Sequence, residues 1–395
     1  MHEYDWVVAN RQWLSDIFGE HVIFFDEMHL HWFYQAINAQ DWRCGICGGY
    51  ISPENELLQR HIKRISIIVS SHSQQKKRMI LSDRVTTLGQ DLLRRHGQRV
   101  HKIALDAGFT CPNRDGTKGT GGCTFCNNVS FSPDTAKHLD VPAQIAKARA
   151  AIAKGTRARH FIAYFQAYTN TYADIAELES MYREALAQPD IVGIAVGTRP
   201  DCVSTAVLDL LDTLRQEGLE VWLELGLQSA FDATLERVNR GHTLAEYRET
   251  ALAARVRGIP LCTHLIIGLP DENEQHYHAT LDTVLDIGVD GLKLHPLHVV
   301  KHTILAYQWR RGGYQPLTKP DYIRIAADLI ERTPEQIIFH RVTATASKDV
   351  LLAPAWCSEK WNVLNGIEQE LRRRDSRQGQ RAGKPHIIEE LQHVA

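Results

Sequence analysis

From about residue 97 onward the chain repeats one pattern at intervals of roughly 30–40 residues: an apolar, β-prone run, a turn or glycine, then a segment with the period of an amphipathic helix. No other feature constrains the fold as strongly, because strands separated by helices must run parallel in one sheet. The strand segments are 100–106 (VHKIALD), 160–166 (HFIAYFQ), 192–198 (VGIAVGT), 221–227 (VWLELGL), 261–268 (LCTHLIIG) and 291–297 (GLKLHPL). Most are continuous apolar runs, the mark of a sheet covered by helices. The helical segments between them are 141–154, 171–187, 204–218, 243–258 and 274–288. Asp140 precedes the first as an N-cap with Pro142 in its first turn, and several of the others end on glycine, as a C-cap does. A further pair, DYIRIAADLIER followed by QIIFHRVTA, extends the sheet. The fold class is therefore α/β, and a doubly wound sheet and a full or partial (β/α) barrel both satisfy the pattern.

In either architecture the βα loops converge at the C-terminal ends of the strands, which makes that end the ligand face. The polar residues there are Gln166 and Tyr168, then Thr198, Arg199 and Asp201, then Glu224 and Gln228, then His264 beside Gly268, then Lys293 and His295. So many polar groups at equivalent positions point to one shared pocket.

With 395 residues, of which 44% are hydrophobic and 23% charged, the chain can bury a large core as one or two domains. No run approaches the roughly 18 apolar residues of a membrane span, and the N-terminus lacks the basic start and apolar segment of a secretory signal, so a cytoplasmic protein without a membrane partner is expected. In a reducing compartment the eight cysteines are poor material for disulfides and better suited to metal or catalysis. The net charge of −2 says little about partners. Two local basic stretches, residues 60–102 and the tail LRRRDSRQGQRAGKP, either meet phosphate or serve as a solvated linker and a frayed tail.

Residues 111–127, CPNRDGTKGTGGCTFCN, follow the first strand and set Cys111, Cys123 and Cys126 at the mouth of the pocket. Thiolates at such spacing suit zinc or an iron–sulfur cluster. Structural zinc wants four protein ligands, and a fourth is not evident nearby. A four-iron cluster with three protein thiolates leaves one iron open to a reagent.

The string CPNRDGTKGTGGCTFC, with Phe125 before its last cysteine, resembles the cluster loop of the radical S-adenosylmethionine superfamily. Its spacing is wider than the common C-x3-C-x2-C and is similar to that of a branch related to the elongator catalytic subunit and to oxygen-independent coproporphyrinogen oxidase. The strings AYFQAYTNTYA, VGTRPDCV, WLELGLQS, HLIIGLPDE, KLHPLHVVK and LLAPAWC resemble, across residues 80–365, the bacterial YhcC-like proteins of that superfamily. The resemblance implies a partial (β/α)6 TIM-type barrel over residues 79–335, a C-terminal extension and basic tail over 336–395, and a small N-terminal appendage over 1–78. It also implies a [4Fe–4S] cluster on Cys111, Cys123 and Cys126, whose open iron chelates S-adenosylmethionine. One-electron reduction, from a flavodoxin or ferredoxin, then gives a 5′-deoxyadenosyl radical. By position, Gln166 stands where the family carries Gly-Gly-Glu for the methionine amine. Arg199 would meet the methionine carboxylate or an anionic substrate, Glu224 the ribose hydroxyls with Gln228 beside it, and the backbone at Ile267 and Gly268 the adenine. Asp201, Lys293 and His295 would face the substrate as catalytic groups. Kinship with elongator implies a modified tRNA base, with a small metabolite or tetrapyrrole as the other substrate class.

Cys202, Cys262 and Cys357 read as small core residues, Cys357 with a further role as a radical-accepting thiol. In RCGICGGY, Cys44 and Cys47 form half of a zinc site, with His29, His31 and His61 as available partners, and the string resembles the opening of an HNH-nuclease zinc module without its catalytic pair. Met79 begins a stretch like the start of the YhcC-like proteins, so residues 1–78 read as a fused remnant or an upstream start. The competing functional class is a zinc-stabilised, non-enzymatic nucleic-acid-binding protein with the barrel as scaffold, which metal analysis separates from the enzyme.

Overall fold

The computed structural model describes residues 81–127, 139–155 and 158–383. The chain divides into two units, Met1–Met79 and Ile80–Ala395, and every described residue belongs to the second. Cys44 and Cys47, with the zinc expected on them, lie outside the described residues.

All six expected strands form: β1 (Val100–Leu105), β2 (His160–Phe165), β3 (Ile191–Thr198), β4 (Glu220–Gln228), β5 (Leu261–Ile267) and β6 (Gly291–Pro296). After a two-residue strand, β7 (Val299–Val300), the QIIFHRVTA segment supplies β8 (Ile338–Arg341). The parallel sheet has seven strands in the order β1-β2-β3-β4-β5-β6-β8, so chain order and spatial order coincide. The sheet curls into a half-barrel with β1 and β8 as its two ends. A short antiparallel ribbon pairs β7 with β9 (Leu351–Ala353).

Helices on one face of the sheet decide between barrel and doubly wound sheet. After α1 (Leu88–His96), the helices α2 (Val141–Gly155), α3 (Ile175–Leu186), α4 (Thr205–Gln216), α5 (Asp232–Arg237), α6 (Leu244–Val256) and α7 (Glu274–Ile287) each follow a strand or precede the next one. Tyr182, Leu211, Tyr247 and Leu281 from these helices meet Phe165, Val196, Leu225 and Leu265 from the strands in one continuous core. Alternate strand residues point the other way, as the period of two requires. Ile162, Tyr164, Ala195, Trp222 and Cys262 form a second cluster inside the curl. Leu88 and Leu92 of α1 join that cluster beside Val100, so α1 plugs the N-terminal mouth of the lumen.

Local signals act as their chemistry dictates. The Asp140 carboxylate accepts from Ala143 N at 2.8 Å at the start of α2. Thr243 and Glu246 form a reciprocal capping box on α6. At the end of α6, Gly258 adopts φ 68°, and Ile259 N donates back to Ala254 O at 3.1 Å. That left-handed turn lets the chain reverse into β5, and glycine holds it without a Cβ penalty.

Three further helices complete the unit: α8 (Ile304–Arg310), α9 (Lys319–Arg332) and α10 (Lys360–Arg373). The basic tail is docked instead of frayed as far as residue 383. Arg374 binds Asp328 at 2.5 Å and Glu331 at 3.1 Å on α9. Gln378 donates to Ile337 O at 2.7 Å and accepts from Thr86 N at 2.8 Å. Arg381 pairs with Glu331 at 3.2 Å.

Candidate active site

The loop after β1 is built from backbone hydrogen bonds. Arg114 N and Asp115 N donate to Cys111 O at 2.8 and 3.2 Å, Gly122 N to Asn113 O at 2.8 Å, and Cys126 N to Cys123 O at 3.0 Å. Two other segments clamp it. Thr124 N donates to Val238 O and Leu305 N to Thr124 O, each at 2.9 Å. Asn113 is buried, donating to Asn239 O at 2.5 Å, while Asn239 donates to Gly122 O at 2.8 Å. Cys111, Cys123 and Cys126 thus sit at the C-terminal rim, none of them joined in a disulfide.

Their surroundings suit thiolate ligands. Arg240 Nη1 approaches Cys123 Sγ at 3.7 Å, and Asn113 Nδ2 lies 4.0 Å from the same sulfur. Donors aimed at sulfur stabilise its anionic form. Burial, with the neighbouring Cys123 second, pushes the Cys126 thiol up to about 11, a tendency that a bound metal reverses by taking the thiolate. The three Sγ atoms do not all lie within 4.8 Å of one another. One tetrahedral zinc would draw sulfurs to about 4 Å apart, given bonds of about 2.3 Å.

Arg240 reaches the rim because Gly226 leaves room for it. Arg240 Nη2 donates to Gly226 O at 2.6 Å, and a Cβ on Gly226 would come within 2.8 Å of that nitrogen. The next shell corrects two expectations. Arg199 is 2% exposed and gives Nε and Nη2 to Asp201 at 2.9 Å each, Nη1 to Arg240 O at 2.7 Å and Nη2 also to Gly241 O at 2.8 Å. Asp201 takes Lys118 of the cysteine loop at 2.7 Å as well. Burial raises the carboxyl, but Arg199 outweighs it and holds Asp201 below the usual range. With their polar atoms spent inside the chain, Arg199 is no free clamp for a methionine carboxylate, and Asp201 does not face a substrate. Both fix residues 240–241 against the loop.

A charged layer crosses the lumen below the rim. Glu224, fully buried on β4, binds Lys102 of β1 and Lys293 of β6, with His264 at 2.9 Å and His340 at 3.2 Å. Lys293 also donates to Tyr164 Oη at 2.9 Å. Burial opposes ionisation of Glu224, but Lys102 and Lys293 overcome it and hold the carboxyl well below its ordinary value. Burial brings Lys293 down to about 8 against the pull of Glu224, and brings His264 down to about 4. Glu224 therefore has both oxygens occupied by internal donors, which is not the arrangement expected of a ribose ligand. Glu224, Cys262 and His264 do bring one ligand atom each within 4.8 Å, yet two ammonium groups on the same carboxylate oppose a metal cation there.

The remaining expected residues lie on the rim. Gln166 and Gln228 are half-buried at the ends of β2 and β4, with no side-chain hydrogen bond among the described residues, and Gln228 has φ 80°. The Ile267 side chain turns outward into the helix-covered core, and its carbonyl accepts from Leu297 N at 2.9 Å. Gly268 O accepts from Tyr314 Oη at 2.7 Å. The lumen face of this turn is instead Ile266, which packs with Val238, Leu297 and Phe125. Cys262 and Cys357 are buried and Cys202 half-buried. Lys102, Tyr164, His340, Asn113, Asn239 and Arg240 were missed in the sequence. A signal existed for part of them: Lys102, Glu224 and Lys293 each set a charge near the middle of a largely apolar strand. Among the described residues no helix is long and apolar enough to cross a membrane.

Residues 113–284 match the family model of the radical SAM superfamily, residues 289–373 that of the Radical_SAM C-terminal domain, and residues 1–40 a separate model, PM0253. The chain is 48% identical over 309 residues to Protein YhcC of Escherichia coli K12, which covers 78% of this chain and 99% of that protein. It is 28% identical over 221 residues to a tRNA uridine(34) acetyltransferase of Dehalococcoides mccartyi, covering 51% of this chain and 46% of that protein. The archaeal Methanocaldococcus infernus Elp3, lacking its N-terminal residues 1–46, superposes with a TM-score of 0.53 at 17% identity, over 71% of this chain and 64% of that one. At that identity the likeness is one of fold.

Proposed function

The chain belongs to the YhcC-like branch of the radical S-adenosylmethionine superfamily, and from that premise we propose that Cys111, Cys123 and Cys126 hold a [4Fe–4S] cluster beside a lumen that receives the substrate. The observation that carries this reading is the cysteine loop: Cys111, Cys123 and Cys126 on a backbone-fixed turn at the C-terminal rim, with Arg240 beside Cys123. When bound, the cluster and S-adenosylmethionine supply one-electron cleavage of the sulfonium and a radical that takes hydrogen from the substrate.

The chain's own residues divide the remaining work. Arg240 and Asn113 offset the negative charge of the Cys123 thiolate. Gln166 and Gln228 offer unpaired amides, each both donor and acceptor, to the polar groups of S-adenosylmethionine. Ile266 and Phe125 present an apolar wall against which a nucleobase can lie. Lys293 and His295 face the substrate, Lys293 as a proton-holding group whose ammonium is already weakened by burial. The electron comes from a flavodoxin or ferredoxin.

Anaerobic purification tests the reading. About four irons and four sulfides per chain are expected, with release of 5′-deoxyadenosine under dithionite. Colourless protein with stoichiometric zinc would instead support the zinc-stabilised scaffold.

A tRNA base is the substrate supported by the likeness to the Dehalococcoides protein. Of the described arginines in the basic stretches, Arg95 and Arg374 are tied to internal carboxylates, whereas Arg94, Arg372, Arg373 and Arg377 stay largely exposed and could meet RNA phosphates. Retention of tRNA by the purified protein at low salt would support the RNA substrate, and its absence would exclude it.

A further inference from the structure

We propose that the lumen between β6 and β8 contains an anion subsite, built by Arg341, His295 and His298, that takes a carboxylate or phosphate group of the substrate. The proposal rests on reading the lumen as the substrate chamber.

Arg341 ends β8 directly across the ladder from Lys293 of β6. It is half-buried, and its guanidinium has no hydrogen bond or ion pair among the described residues. Every other arginine near this chamber is committed, Arg199 and Arg240 to backbone carbonyls and Arg95 to Glu220. A half-buried guanidinium that keeps its donors free fits a planar oxyanion, which it can bind with two parallel hydrogen bonds.

Two imidazoles share the corner. His298 is 7% exposed, and its Nε2 is buried without a partner. His295 likewise keeps a buried, unpartnered Nε2, and its ring stacks on that of His264 at 5.7 Å. Buried nitrogens are left unpaired rarely, and a ligand is one of the standard reasons. Burial and then the charge of Arg341 push His295 well below its ordinary value, so the guanidinium lies within electrostatic reach of that ring.

The charge balance points the same way. Lys102 and Lys293 share the single carboxylate Glu224 among the described residues of this layer, and Arg341 stands across the ladder from Lys293. That carboxylate is saturated by the two lysines, which leaves Arg341 as the cation without a counter-charge. A walled, positive cavity concentrates anions.

The test uses the full chain, loaded anaerobically with iron and sulfide and titrated calorimetrically with inorganic phosphate, with acetate in parallel, in the presence and absence of saturating S-adenosylmethionine. Saturable binding of either anion is expected, unchanged by S-adenosylmethionine and weakened about tenfold or more in Arg341→Gln. His298→Gln should weaken it several-fold, and Arg341→Lys should recover part of the loss. Should Arg341→Gln fail to fold, the histidine and lysine variants carry the test. No saturable anion binding to the wild-type protein, or full affinity in the variants, would overturn the subsite. So would displacement of the anion by S-adenosylmethionine, which would assign the corner to the methionine carboxylate. Release of 5′-deoxyadenosine is measured on the same preparation. Cleavage without anion binding removes the subsite alone, whereas absence of iron and of cleavage removes the cluster.

Discussion

The cysteine loop and the Glu224 layer occupy the same half-barrel, yet different forces hold them. The loop is fixed mainly by amide hydrogen bonds to Val238, Asn239 and Leu305, with Arg240 at the Cys123 sulfur as a side-chain contact beside them. The layer below is fixed by ion pairs among strand side chains around the fully buried Glu224. A site held by backbone can lose its reactive atoms and keep its shape. A site made of mutually compensating charges cannot lose one member without exposing the rest.

Removal of a thiol draws that contrast most sharply. Cys123→Ala should lose iron and all 5′-deoxyadenosine formation, while urea unfolding of the metal-free protein stays within about 1 kcal/mol of the parent. Full iron content in the variant would break the assignment. The converse change, Glu224→Ala, leaves Lys102 and Lys293 buried without a counter-charge and should cost about 3–5 kcal/mol in urea unfolding. A loss under about 1 kcal/mol would mean that the layer is not held by its charges.

Acid probes the same contrast more gently. His264 and His298 are held down to about 4 and His242 to about 3, by burial first in each case. All three folded values lie below the ordinary 6.5, so the unfolded chain binds protons that the folded one refuses. Stability is fully present above pH 6.5 and drains as pH falls toward 4, by about 1–2 kcal/mol per imidazole between pH 7 and 5. Unfolding midpoints at pH 7.5 and 5 measure this, and a flat profile would show that the imidazoles titrate as though exposed. The smallest effect belongs to the outer shell, remote from both regions. Thr243→Ala removes the cap of α6 and should cost about 1 kcal/mol with iron content unchanged.

The same division explains what could be read in the sequence. The strands, their order of appearance and most helices are local patterns, and so is the cysteine loop, whose turn residues and spacing lie within 17 residues. Asp140 as a cap and the sheet-extending segment at residues 338–341 were legible for the same reason. The Glu224 layer was not, because its members come from β1, β2, β4, β5, β6 and β8 and meet only through strand register and the curl of the sheet. Glu224, Arg199 and Asp201 sit close to strand ends in sequence, which made them look like ligand groups. Their partners are far along the chain: Lys102 is 122 residues from Glu224, and Gly241 is 42 from Arg199. The tail failed similarly, since its arginines look solvated until α9 supplies Asp328 and Glu331.

The sheet stops at β1 on one side and β8 on the other, and at its lower end the span between them is bridged by Phe339 N bonding to Thr86 O and by α1 leaning on both strands. A stave at the margin is laddered on one side only, so β8 is held by β6, by Thr86 and by the contact of His340 with Glu224 in place of a second neighbouring strand. Arg341 belongs to that outermost stave. Whatever guest the guanidinium grips would therefore be held at the seam where the sheet ends.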